Sequence, residues 1–322
     1  AAERESRLPP LFPPYRYQSR VDLDAYVRQR RIVRAIREGD DGRYVSLDPR
    51  AWIPQGYHVL AKPNFRGLLA RQQSMLFDLE EAQVYNSVQP IRYWTFVRTV
   101  DPKPIRYAAG FFRRLPPVAR DLLQIGWVIG PTDQPPDVGT VDKVASDGPW
   151  TVYRLPGTPP RASVMGAWRV VGSAAGALDA VASPTFDPSR DVVLEQDPGL
   201  RASAVSASAE ARSVTYRSLG AGTARVDVVT PSPAIVLVRN TWDPHWHATV
   251  DGRPAPVLAA DYIDQAIPVA PGKHTIVLTY DNPAIGFGLL GSALTLVVMF
   301  GAALAARNAS KRAGRQDPSR RA

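Results

Sequence analysis

The sequence predicts an α+β chain in three parts: an N-terminal α/β unit, an antiparallel β-sandwich and one C-terminal transmembrane helix. Three observations predict it. Up to about residue 161, helical patterns alternate with short apolar strands, the grammar of an α/β unit. From about residue 162, short apolar runs recur with turn signals between them, as in a sandwich. Near the end, residues 285–306 form 22 consecutive uncharged residues. At 1.5 Å per residue such a helix is about 33 Å long, enough for a hydrocarbon core of about 30 Å.

Taken in order, residues 1–18 are rich in proline and aromatics and read as an extended linker. Residues 19–161 form the α/β part. A helix is expected over 19–38, opened by Ser19 with Asp22 three residues on and stopped by Gly39. Its Arg28, Arg30, Arg31, Arg34 and Arg37 read as a solvated face. Residues 43–47 read as a short strand, 122–130 as a helix end followed by a buried strand, and 152–155 as another strand. Residues 132–149, dense in Pro, Asp and Gly, read as a loop. Residues 162–283 form the sandwich. Its clearest strands are expected at 224–229, 234–240, 247–250, 256–259, 263–269 and 274–280. Asp251-Gly252 makes a two-residue hairpin turn and Pro271-Gly272 a tight turn in the next hairpin. Residues 284–306 are the apolar helix and 307–322 a basic tail.

The net charge is +9 over 322 residues, with 39 basic side chains of which only five are lysine. Charge of this sign invites a nucleic-acid reading, but its placement argues for another one. Arg307, Lys311, Arg312, Arg315, Arg320 and Arg321 stand against Asp317 in the tail, which holds more than half of the excess. A basic block directly after an apolar helix is a topology signal: it stays on the cytoplasmic side and puts residues 1–284 outside. The expected partner is a lipid bilayer, and no nucleic acid. An exported domain needs a route across the membrane, yet the chain opens AAERESRLPPLFPPY, without an apolar leader. Upstream membrane helices of the same protein are therefore expected. The absence of cysteine removes disulfides and thiolate metal sites.

The run from Val236 to Tyr280 carries a set of features in combination: Pro244-x-Trp246, Val250-Asp251-Gly252, Ala260-x-Tyr262, Val269-x-Pro271-Gly272-x-His274 and Tyr280, leading straight into the terminal helix. Upstream stand Arg43-Tyr44-Val45, Asp48-Pro49, Asn64, the run Tyr85-Asn86-Ser87-Val88-Gln89 and Arg92-Tyr93-Trp94. Together these resemble the C-terminal part of the YfhO-like bacterial membrane proteins, over most of residues 40–306. His245 departs from the pattern, where the family more often has glycine. The resemblance implies a polytopic membrane protein of the GT-C glycosyltransferase class. Such proteins take a sugar from a polyprenyl-phosphate-linked donor and add it to a cell-envelope glycan. Their catalytic acids lie in an early external loop outside this chain. It implies for this chain an accessory or acceptor-side role, with no catalytic residue of its own.

Candidate contact residues fall into two groups. Tyr85, Asn86, Arg92, Tyr93 and Trp94 form the densest polar-aromatic cluster of the α/β part, and Arg92 could pair with a phosphate or carboxylate. Trp242, Trp246 and Tyr262, with Tyr280, could present aromatic faces to a sugar ring. Core and turn packing is the competing role for both groups. His245 and His247 have zinc-ligand spacing, but the Pro-x-Trp resemblance makes that segment a turn, so no metal and no cofactor is expected. Asp78, Glu80 and Glu81 read as solvated charge. The alternative to an accessory glycosyltransferase domain is a non-catalytic, membrane-anchored module that binds a glycan or a protein.

Overall fold

A computed structural model describes residues 30–39, 42–47, 69, 73–85, 90–102, 109–110, 112, 114–201 and 212–313. The expected linker at 1–18, the first part of the expected N-terminal helix and most of the basic tail lie outside them.

The α/β part begins with α1 (Arg31–Gly39), which turns Ile32, Val33 and Ile36 inward and its arginines outward. Its first turn is tied down by Asp147, whose Oδ2 accepts from Ile32 N at 3.0 Å. Strand β1 (Arg43–Ser46), the two-residue strands β2 (Val84–Tyr85) and β3 (Ala109–Gly110), and helices α2 (Ile91–Val100) and α3 (Pro117–Leu122) follow. Next come β4 (Ile125–Pro131), β5 (Asp142–Asp147) and β6 (Trp150–Arg154). They make a four-stranded sheet in the order β1-β4-β6-β5, parallel between β1 and β4 and antiparallel elsewhere. All seven residues of β4 are buried because both faces of the sheet are covered. Trp127 and Ile129 pack under α1 with Trp150 and Val152. Val128 faces the opposite core with Phe96 and Val97 of α2 and Leu122 of α3.

Part of the expected loop at 132–149 is β5, an exposed edge strand joined to β6 through Gly148 at φ +56°. Its sequence, DKVASD, lacks the apolar alternation that marks a half-buried strand, because only its partner β6 is buried.

The second part contains β7 (Ala162–Met165), β8 (Arg169–Val170), α4 (Ala174–Ala182), β9 (Val193–Leu194), β10 (Ser213–Gly220), β11 (Thr223–Thr230), β12 (Ala234–Val238), β13 (Trp246–Val250), β14 (Arg253–Ala255), β15 (Leu258–Ala260), β16 (Asp264–Val269) and β17 (Gly272–Tyr280). They form a five-stranded sheet, β10-β11-β17-β13-β14, and a six-stranded sheet, β7-β12-β16-β15-β9-β8. Ala224, Val226, Ile276 and Leu278 of the first pack on Val236, Val238 and Ile267 of the second. The arrangement is that of a sandwich, antiparallel except for the pair β8–β9. On the outer face of the six-stranded sheet Ile235, Leu237 and Ala266 are also buried, in one cluster with Met165 of the same sheet and Val192.

A helix was not expected in this part. α4 is capped by Ser173, whose Oγ accepts from Gly176 N at 3.1 Å. Its buried face holds only Ala177 and Val181, too small a stripe to register as helical periodicity. Those two residues belong to the same core as Phe96, Val97 and Ile125, which joins the α/β part to the sandwich. The Asp251-Gly252 hairpin is present, with φ of +51° and +78°. The hairpin expected at Pro271-Gly272 is not formed: β16 and β17 belong to different sheets, so Ala270 and Pro271 carry the chain across the sandwich and do not reverse it within one sheet.

The chain then leaves β17 and, after Asp281 and Asn282, enters α5 (Pro283–Ala313). Pro283–Asn308 is long and apolar enough to cross a membrane, and no part of it is buried against the protein. Asn282 caps it, with Oδ1 accepting from Ala284 N at 3.0 Å.

Candidate functional site

The segment at residues 239–245 leaves the end of β12 and crosses the end of the sandwich to start β13. Two polar clusters meet there, and both connect the α/β part to the sandwich.

The first is centred on Arg92 of α2. Its guanidinium forms a two-pronged ion pair with Glu195, through Nη1–Oε1 and through Nη2–Oε2 at 2.9 Å. Nη1 also donates to the carbonyl of Tyr262 at 2.9 Å. The guanidinium lies 4.4 Å from the centroid of the Trp242 ring and 5.2 Å from that of Tyr262. Both charged side chains are largely covered, 17% and 11% exposed. The turn that supplies the Tyr262 carbonyl is unusual: Asp261 and Tyr262 have φ of +48° and +68° with no glycine present. Left-handed backbone at such residues costs about 1–2 kcal/mol each. Surrounding bonds hold it. Asp261 N donates to Val193 O at 2.8 Å, Asp261 Oδ1 accepts from Val193 N at 2.7 Å, and Trp242 N donates to Ile263 O at 2.7 Å.

The second cluster gathers three arginines. Arg239 is 2% exposed and donates to Asp121 O at 3.1 Å, Pro160 O at 2.8 Å and Ser163 Oγ at 2.8 Å. Arg43 donates to the carbonyls of Leu123 at 2.9 Å and Arg239 at 3.1 Å. Glu80 Oε2 pairs with Arg43 Nε at 3.2 Å and Arg161 Nη1 at 2.7 Å. Arg161 Nε donates to Asn240 Oδ1 at 2.9 Å. Beneath them lie Asp264, 2% exposed, and Asp261, fully buried; the Oδ2 atom of each has no hydrogen-bond partner among the described residues. Burial pushes the Asp264 carboxyl well above the usual range, against the pull of Arg239. Burial likewise raises Asp261, to about 7. Burial and the neighbouring Arg161 draw Arg43 down to about 10. Burial tends to raise Glu80, but Arg161 and Arg43 outweigh it and hold the carboxyl below its ordinary value.

The structure therefore brings together Arg92, Trp242 and Tyr262, which the sequence placed in two separate groups. The other candidates go elsewhere. Tyr93 is buried and its hydroxyl donates to Ala82 O. Trp94 is half-buried, with Arg98 5.8 Å from its ring centroid. Tyr85 lies in β2, and Asn86 is outside the described residues. Trp246 pairs with Tyr280 across β13 and β17, ring edge to face at 5.3 Å. His245 Nδ1 bonds Asp243 Oδ1 at 2.7 Å within the turn before β13. Glu80, read as solvated charge, is 58% exposed and is also the shared partner of two arginines.

Sequence reasoning missed Glu195, Arg43, Arg161, Arg239, Asp261 and Asp264. Two of these carry a signal in hindsight. Arg239 ends the apolar run AIVLV, and Asp264 opens the apolar run of β16; each is a charge where the strand is already buried. Chemically, the Arg92 group is a fastener. Three of its five N–H donors and one face of each of two aromatics are engaged by the protein itself. Among the described residues no group of three or more His, Cys, Asp or Glu is placed to hold a metal ion. The chain matches no protein-family model, no curated protein and no solved structure.

Proposed function

We propose that this chain is the extracytoplasmic C-terminal part of a membrane glycosyltransferase of the YfhO-like kind. In this reading it acts beside the catalytic centre, on the side of the envelope glycan that accepts the sugar from a polyprenyl-phosphate donor. The observation that carries the membrane reading is α5: an apolar helix with no protein around it, continuing from β17 after two residues. At 1.5 Å per residue, its 26 membrane-length residues reach about 39 Å, beyond a hydrocarbon core of about 30 Å. The arginines that follow favour a cytoplasmic end for the helix and an external position for the folded part. The glycosyltransferase assignment is supported by the family resemblance of residues 240–280. The accessory role is supported by the internal use of Arg92, Trp242 and Tyr262, the groups best suited to a lipid-linked phosphate or a sugar.

Two experiments test this. Membranes carrying the chain are washed with alkaline carbonate, and a reporter active only outside the cytoplasm is fused after Ala322. Retention in the membrane with a silent reporter is expected; an active reporter overturns the orientation. In membranes with the complete parent protein, deletion of residues 30–282 is expected to abolish transfer to the glycan while donor turnover to water continues. Equal loss of both activities refutes the accessory role.

A further inference from the structure

The five-stranded sheet has one end from which α5 leaves, and apolar and aromatic side chains are exposed there beside His245 and Asp281. β17 closes with Tyr280, paired with Trp246 at the start of β13. Tyr280 N donates to Gly222 O at 2.8 Å, so the tip of the β10–β11 hairpin lies on the other side of the same residue. That tip exposes Leu219 (59%) and Ala221, and Tyr280 is itself exposed. Gly220 and Gly222, at φ of +145° and +74°, let the tip turn tightly beside Tyr280.

The connection to α5 leaves little freedom. Only Asp281 and Asn282 separate Tyr280 from Pro283, a reach of at most about 10 Å. Asp281 N is fixed to His245 O at 3.0 Å and Asn282 caps the helix. Counting about 20 residues back from Arg307 along the helix places the outer edge of the hydrocarbon near Phe287. Residues before Phe287 then stand in the headgroup layer, which is about 5–7 Å thick on each side. Pro283, four residues before Phe287, then stands about 6 Å out along the helix, at the outer margin of that layer, and Tyr280 with its neighbours across the sheet lies at or within about 10 Å above it. Tyrosine and tryptophan are the side chains that favour it, having an apolar body and a polar edge.

We infer that the rim formed by Leu219, Ala221, Trp246 and Tyr280 rests on the outer margin of the headgroup layer of the bilayer. The sandwich is thereby seated on the membrane at two points, the hairpin tip and the root of α5, and the α/β part joined at residues 239–245 is held close to the lipid surface. This inference rests on the membrane reading of α5.

The chain has no cysteine, so single substitutions create unique labelling sites. Leu219→Cys, Ala221→Cys, Phe287→Cys and Arg253→Cys are made in the full chain, reconstituted in phosphatidylcholine–phosphatidylglycerol nanodiscs and labelled with a nitroxide. Collision with oxygen, which concentrates in lipid, is compared with collision with a water-soluble nickel chelate. Arg253 begins β14, at the opposite end of the sheet, and serves as the aqueous reference. Positions 219 and 221 are expected to show less nickel collision than position 253, at values between those of 253 and 287. If position 287 is lipid-like while 219 and 221 match 253, the rim does not touch the bilayer and the inference is overturned, with the membrane reading intact. If position 287 is also water-like, both fall.

Discussion

Replacing Arg92 with methionine tests whether its cluster is a fastener or an open binding site. Methionine keeps an apolar chain against Trp242 and removes the guanidinium. The two bonds to Glu195 and the one to the Tyr262 carbonyl disappear together. Glu195, only 11% exposed, is left as a covered carboxylate without its counter-charge. Losing one partner of such a pair costs about 3–5 kcal/mol, and the lost stacking over Trp242 adds about 1 kcal/mol. Exchanging Glu195 for methionine as well removes the stranded charge. The double variant is therefore expected to be less destabilised than the two single variants added together, by about 2 kcal/mol or more. The assay is urea unfolding in mild detergent, followed by tryptophan emission, with all four members of the cycle compared at constant slope. A cost below about 1 kcal/mol for Arg92→Met, or strict additivity in the cycle, would refute the reasoning, since it is what an exposed pair gives.

Three further outcomes are expected. Asp261 is held protonated by burial, with its carboxyl at about 7 in the fold. Its contribution is therefore complete below the unfolded value of about 3.9 and is lost as pH rises to about 7. Asp261→Asn, which keeps the acceptor for Val193 N, is expected to flatten this decline and to raise stability at pH 8 by on the order of 2 kcal/mol, read from urea midpoints between pH 5 and 8. Gly39→Ala would place a Cβ 2.1 Å from Cζ2 of the buried Trp127; a loss of about 1–3 kcal/mol is expected, measured as a lower thermal midpoint. Arg239→Leu leaves the carbonyls of Asp121 and Pro160 without their donor and strips Asp264 of its strongest attracting charge. A loss of about 3 kcal/mol or more is expected, with faster amide exchange at the start of β16 in deuterium-exchange mass spectrometry.

Elements whose residues declare a face were legible from the chain alone. The alternation of Ile276, Leu278 and Tyr280 announced β17, Asp251-Gly252 announced its hairpin, and the uncharged run announced α5. β5 and α4 were not legible, because an edge strand and a helix of small residues carry little hydrophobic contrast. For the candidate site the division is similar. Arg92, Trp242 and Tyr262 stood out by residue type. Their common destination did not, since 150 and 20 positions separate them in order along the chain.

By itself the sequence determined which segments are apolar enough to be buried or to enter lipid, where the Asp251-Gly252 turn falls and how charge is distributed around the last helix. These follow from local chemistry: side-chain hydrophobicity, backbone permissiveness and the period of each element. Only the tertiary structure decided that Arg92 binds Glu195 across the junction, that Glu80 serves two arginines, and that Asp261 and Asp264 lose their solvent. Those outcomes depend on which strands become neighbours. A charge has no intrinsic role until packing chooses its partner and sets how much water remains around it.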